Sequence, residues 1–291
     1  MRQLEAELVL DAHAVLAEGP HWDTNSMRLL WLNITPGEIH WFDPQTGSDS
    51  ISKVETMVGA AVPRKAGGLI LATQNGFVFF DDDHQITPVV DIEADLGRNR
   101  MNDGKCDSQG RFWAGTMDMD LQKPLASLYR LDCDNQVETM LSEITISNGL
   151  GWSPDNSTMY YIDSMSQCVD AFDYDSLDGS IGNRRSILEI DAEEGLPDGM
   201  TIDVDGFLWV AIYGAGRVRR FSPQGVPDME IKMPSTGVTS CTFGGPDLDD
   251  LYITTAAQFL SQEDLRQQPH AGGIFRVRPG PRGLPANRFC G

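Results

Sequence analysis

One phrase recurs along the chain and constrains its fold more than any other feature. A polar turn holding Asp or Gly leads into an aromatic-rich run of strand formers, then a second turn and run. It reads HWDTNSMRLLWLNITPGEIHWFDPQTG from His21 and PRKAGGLILATQNGFVFFDDDHQ from Pro63. It returns as DSQGRFWAGTMD from Asp107, WSPDNSTMYYIDS from Trp152, DVDGFLWVAIYGAGRVRRFSPQG from Asp203 and GGPDLDDLYITT from Gly244. The spacing of roughly 40–50 residues is the period of a four-stranded blade. Six occurrences predict an all-β chain, a six-bladed β-propeller around a central channel. A β-sandwich or two β-domains would also use short strands, but neither requires a blade-length period. No linker or low-complexity stretch interrupts residues 1–291, which read as one propeller domain. Residues 4–10 are expected to close the ring by completing the last blade beside residues 273–277.

Composition narrows the function. The 291 residues suffice for a sizeable core, and 41% hydrophobic with 22% charged is ordinary for a globular protein. A net charge of -21 repels polyanions, so nucleic acid is not an expected partner. No apolar run reaches the roughly 18–20 residues that span a bilayer. The start, MRQLEAELVLDAH, is acidic where a signal peptide would be apolar, so the expectation is a cytoplasmic protein without a membrane partner. The five cysteines are odd in number and lack C-x-x-C spacing; neither a disulfide framework nor a thiolate zinc site is expected.

Common catalytic signatures are absent: no G-x-S-x-G elbow, no H-E-x-x-H and no phosphate-binding G-x-x-x-x-G-K-[ST]. Gly214-Ala215-Gly216 lacks the third glycine of a dinucleotide fingerprint and reads as a hairpin turn. Residues 173–179 resemble a calcium loop but lack its closing Glu, and read as a surface turn. His21, near Glu18, reads as a packing residue.

Four phrases remain: Glu18-Gly19-Pro20-His21-Trp22, residues 100–117 beginning Arg100-Met101-Asn102-Asp103-Gly104-Lys105, Ser147-Asn148-Gly149-Leu150, and Pro197-Asp198-Gly199-Met200. They fall in different blades, and each sets a polar residue beside Gly or Pro before a strand. Taken singly, Asp198, Asn148 and Asp103-Gly104 are ordinary turn residues and Glu18 a surface acid. In a propeller, strand entries converge on the channel. Glu18, Asn148 and Asp198 could then offer oxygens from three blades to one hard cation, with positions left for water and substrate.

The ordered set resembles the gluconolactonase and regucalcin superfamily, also called the senescence-marker-protein family. The matching phrases are E-G-P-x-W at Glu18, R-x-N-D-G-K-x-D at Arg100, G-R-x-W-A-G-T-M at Gly110, S-N-G-L-x-W-S-P-D at Ser147 and P-D-G-M at Pro197. The likeness spans nearly the whole chain, ending in Ala271-Gly272-Gly273-Ile274-Phe275 and Phe289-Cys290-Gly291. It implies a six-bladed propeller, one divalent cation and hydrolysis of a small sugar lactone. Carried over by position, the metal ligands fall on Glu18, Asn148 and Asp198, the acid/base on Asp198, and substrate contacts on Arg100 and Asn102. A further sugar contact, often Glu in the family, falls loosely on Asp120. The oxygen ligands fit Ca²⁺ foremost, and Zn²⁺, Mn²⁺, Mg²⁺ or Fe²⁺ as alternatives. A propeller phosphotriesterase or arylesterase, or a non-enzymatic calcium-binding propeller, would share the fold.

Overall fold

In a computed structural model, residues 1–121 and 123–291 are described. Each recurring phrase places its turn between the first and second strands of a four-stranded antiparallel unit. The first strands are Ala17–Asp23, Val58–Pro63, Asn99–Cys106, Ser147–Trp152, Leu196–Ile202 and Val238–Gly244. They are the inner strands: each packs against the next in cyclic order, and the last packs against the first. The outer strands follow in chain order through the first four sheets, and N-terminal strands lie outermost on the last two. The fold is the six-bladed β-propeller that the repeat predicts.

Apolar alternation on both blade faces sets where the core lies. Among the described residues it forms six buried clusters, each shared by two adjoining blades. Trp113 and Tyr161 join the third blade to the fourth; Trp209 and Phe243 join the fifth to the sixth.

The repeated turn has a physical device. In the third and fifth blades it reads Asp-x-x-Gly-x-x-Trp, with Asp107, Gly110 and Trp113, then Asp203, Gly206 and Trp209. One oxygen of each Asp accepts turn N–H groups, Gln109 and Arg111 in one blade and Asp205 and Phe207 in the other. The other oxygen accepts the indole N–H of the buried Trp at 3.0 Å in both blades. It also accepts an Arg guanidinium, from Arg111 at 2.6 Å or Arg220 at 2.8 Å. Gly110 and Gly206 sit at φ 89° and 81°, where a Cβ would be strained. The acid thus caps the turn and satisfies the buried indole.

Three expectations are corrected. The N-terminal segment divides between two blades. Glu7–Leu10 pairs antiparallel with Ile274–Val277 and closes the sixth blade. Arg2–Glu5 pairs parallel with Pro227–Lys232 as an extra outer strand on the fifth. The second correction concerns Asp103-Gly104, which lies inside the inner strand Asn99–Cys106 rather than in a turn. The third is a disulfide, Cys133–Cys290. The partners are 157 residues apart, so spacing gives no sign of the pair.

That disulfide anchors a tail that crosses one end of the channel. Gly283 bridges to Asp203, Asn287 Nδ2 donates to the Cys106 carbonyl, and Phe289 pairs beside Arg64 and is fully buried. Among the described residues no helix is long and apolar enough to cross a membrane. Residues 214–216 form a turn, as expected. Of residues 173–179 only 176–178 do so, because Asp173 and Tyr174 end the strand Cys168–Tyr174.

Candidate functional site

Every inner strand shifts register against its neighbour near its N-terminal start. Such bulges break the in-and-out alternation and re-aim side chains, here toward the channel. At or beside four of them stand Glu18, Asn102 with Asp103, Asn148, and Asp198. The other two carry Gly59 and Thr239. Gly59 has a packing role: a Cβ there would lie 2.4 Å from the Met101 carbonyl oxygen.

A line of hydrogen bonds orders these side chains across three blades. Arg100 Nη1 donates to Asn102 Oδ1 at 2.8 Å and to the Met101 carbonyl at 2.9 Å. Asn102 Nδ2 donates to the Ser147 carbonyl at 2.8 Å and to Asn148 Oδ1 at 3.2 Å. Asn148 Nδ2 donates to Ser164 Oγ at 2.9 Å, and Ser164 Oγ to the Pro197 carbonyl at 2.7 Å. The last carbonyl precedes Asp198. Each amide therefore has a fixed rotation, with its nitrogen engaged.

The electrostatics call for positive charge. Glu18, Asp103 and Asp198 are all buried. Burial, then Asp103, pushes Glu18 up to about 8, against the opposing pull of the Gly19 N–H and Arg100. Burial, then Glu18 and Asp103, pushes Asp198 well above the carboxylate range. Asp103 is raised chiefly by burial. Burial lowers Arg100 to about 10, against the opposing pull of Glu18 and Asp198.

Asp198 Oδ1 is buried without a hydrogen-bond partner, an expensive condition for a carboxylate oxygen unless a ligand meets it. Among the described residues no three His, Cys, Asp or Glu side chains form a ligating group. The candidate set holds two carboxylates and one amide, all oxygen donors, which suits a hard divalent cation. The residues present fit such an ion.

Glu18, Arg100, Asn102, Asn148 and Asp198 line one cavity of about 280 Å³. The structure brings these five expected residues together. Asp120 is not among the lining residues. It is 56% exposed and ion-paired with Arg98, while Met119 and Leu121 on either side face the cavity. Three participants escape the sequence reading. Asp103 is hidden because Asp-Gly is common in turns. Ser164, which holds Asn148, carries no motif. Tyr213 lines the cavity with its hydroxyl donating to the Gln258 carbonyl at 3.0 Å.

A second cavity of about 280 Å³ lies at the tail end of the channel, lined by His21, Lys105, Trp152 and Asn287 among others. It holds none of the three raised carboxylates.

The geometry can be set beside known proteins. The model of the SMP-30/Gluconolactonase/LRE-like region matches residues 16–257. Regucalcin of Xenopus laevis is 38% identical over 299 residues, covering 100% of both chains. The YvrE protein of Bacillus subtilis (strain 168), named provisionally as a sugar lactone lactonase, is 38% identical over 293 residues, covering 99% of each. Among solved structures, a regucalcin of Agrobacterium tumefaciens, described as a calcium-binding protein, superposes with a TM-score of 0.95 at 25% identity. It covers 99% of this chain and 98% of its own. The chain belongs to the SMP-30/gluconolactonase/LRE-like family.

Proposed function

We propose that this protein is a divalent-cation-dependent lactonase that opens a sugar lactone to its aldonic acid, with Asp198 as acid/base. One observation carries the reading: the partnerless, buried Oδ1 of Asp198 beside two further buried carboxylates. Glu18, Asn148 and Asp198 would hold the ion. The calcium-binding description of the Agrobacterium regucalcin makes Ca²⁺ the first candidate. When bound, such a cation supplies Lewis acidity toward a carbonyl oxygen and lowers the pKa of water.

The chain's residues do the rest. Asp198 takes a proton from the attacking water as its oxygen bonds to the lactone carbonyl carbon. The C–O bond to the ring oxygen then breaks, and Asp198 returns the proton to that oxygen. Arg100 faces the cavity as a cation and stabilises the oxyanion that forms between these steps. The Asn102 amide has both N–H groups engaged by Ser147 and Asn148, so its Oδ1, already held by Arg100, orients the substrate by accepting from a hydroxyl. Asp103 is a positioning residue that adds negative charge beneath the site. Asp120 would touch only a substrate that projects past the cavity mouth.

The regucalcin names support a second reading, cation binding without turnover. One assay separates the two. Aldonolactone hydrolysis is followed by acid release before chelation, after chelation and after calcium is restored. Turnover that falls with chelation and returns with calcium is expected; unchanged turnover in chelator contradicts cation dependence. Asp198→Asn is expected to lower kcat by about 10³-fold or more, within the range lost with a positioned acid/base.

A further inference from the structure

The cavity has a polar floor around its carboxylates, and the rest of its lining, the wall, is mostly apolar, with Thr35, Tyr213 and Gln258 as exceptions. Above the carboxylates stand Leu16, Met57, Met117, Met119, Leu121 and Phe259. A lactone with a hydroxyl on every ring carbon would turn several of them toward thioether and hydrocarbon groups. Those hydroxyls would lose water without gaining partners, which costs affinity.

The wall is also held open to solvent at an energetic disadvantage. Phe259 is 83% exposed and Leu121 42% exposed. Both have a left-handed backbone, φ 68° and 54°, which bulky residues rarely adopt. Such outliers gather at ligand clamps, where surrounding bonds enforce them. Here the Phe259 loop is pinned from two sides. Ala257 and Gln258 N–H groups donate to the Val15 carbonyl at 3.1 and 2.9 Å, and Tyr213 Oη donates to the Gln258 carbonyl. Leu121 N–H donates to the Asp118 carbonyl at 3.0 Å. The methionines add an adaptable, polarisable surface between these rims.

We infer that the preferred substrate is a lactone whose ring carries an apolar substituent, an alkyl, acyl or aryl group lying against Met57, Met119, Leu121 and Phe259. The inference rests on the lactonase reading of the floor and goes beyond it: sugar lactones stay substrates but rank below lactones that carry such a group. The floor takes the ester and any ring hydroxyls, and the wall takes the substituent.

The test is a chain-length series with the calcium-supplied protein: δ-valerolactone, δ-hexalactone, δ-octalactone and δ-decalactone, with glucono-δ-lactone alongside. Each methylene covered by the wall is expected to raise kcat/KM about 4-fold. δ-Octalactone should therefore exceed δ-valerolactone by on the order of 50-fold. Phe259→Ser combined with Leu121→Ser is expected to shrink that ratio by at least about tenfold. A flat series, or glucono-δ-lactone exceeding δ-decalactone, overturns the inference while leaving the lactonase reading intact. If no lactone is turned over, the lactonase reading falls, and calorimetric binding of the matching alkyl δ-lactams decides the rest. Affinity rising with chain length keeps the apolar-ligand site, and equal affinities overturn it.

Discussion

The two ends of the channel are built from the same six inner strands, yet they differ in chemistry and closure. At the bulged end Glu18, Asp103 and Asp198 are buried with raised pKa values, and Asp198 Oδ1 has no partner. At the tail end, the buried charged groups are neutralised or engaged. Lys105 Nζ donates to the Met200 carbonyl at 2.9 Å, and Asp23 pairs with Arg288. His21 is held neutral there, its pKa lowered by burial to about 4. The tail lies across that end, fixed by Cys133–Cys290. The contrast teaches that frustration is local. A fold that satisfies its buried charges at one end leaves them unsatisfied at the other, where an ion and a substrate can complete them.

After the loss of Asp198, the strongest effect falls on its neighbour at the bulged end. Arg100→Leu should lower kcat/KM by about 10²–10³-fold, as loss of an oxyanion donor does. Steady-state kinetics on an aldonolactone check it, and a change below tenfold would remove Arg100 from the transition state.

The tail end should answer to acid instead. Unfolded His21 gains a proton below about pH 6.5, whereas the folded one stays neutral down to about 4. Its contribution to stability is therefore complete above pH 6.5 and is lost as pH falls toward 4. The loss amounts to about 3 kcal/mol. It is read as the difference between wild type and His21→Gln in urea unfolding at pH 7 and pH 4.5. A pH-independent difference contradicts the buried neutral imidazole.

Cys133→Ser should cost about 2–4 kcal/mol by freeing the tail. A melting curve should shift down by roughly 4–8 °C. Lactone turnover at 25 °C should stay near wild type, because the tail and the carboxylates occupy opposite ends. A collapse of turnover would mean that the two ends are coupled.

The smallest effect is expected at Asp120. Its exposed pair with Arg98 contributes about 0–1 kcal/mol, so Asp120→Asn should alter kcat/KM by less than about twofold. A tenfold rise in KM would restore it as a sugar contact.

Much of this contrast is legible in sequence. The blade period is visible because each turn needs its own acid or glycine, and a buried Trp repeats with it. Glu18, Asn148 and Asp198 are legible only jointly, since each phrase alone is turn chemistry. Asp103 is misread for the same reason: a bulge and a turn both favour Asp-Gly, and only the neighbouring strand tells them apart. The disulfide depends on the tail's path across the channel, which no local pattern encodes. The helix Gln262–Gln267 is a smaller omission. Its capping box, Ser261 with Asp264, is written in the sequence, but six residues offer little periodicity. The split of residues 2–10 between two blades follows from pairing partners more than 200 residues away in the chain.

Calorimetric titration of calcium into chelator-stripped protein tests the cation site itself. One bound equivalent is expected in wild type, and its loss in Glu18→Gln. No binding to wild type, or unchanged binding to Glu18→Gln, would contradict a cation site at the bulged end of the channel.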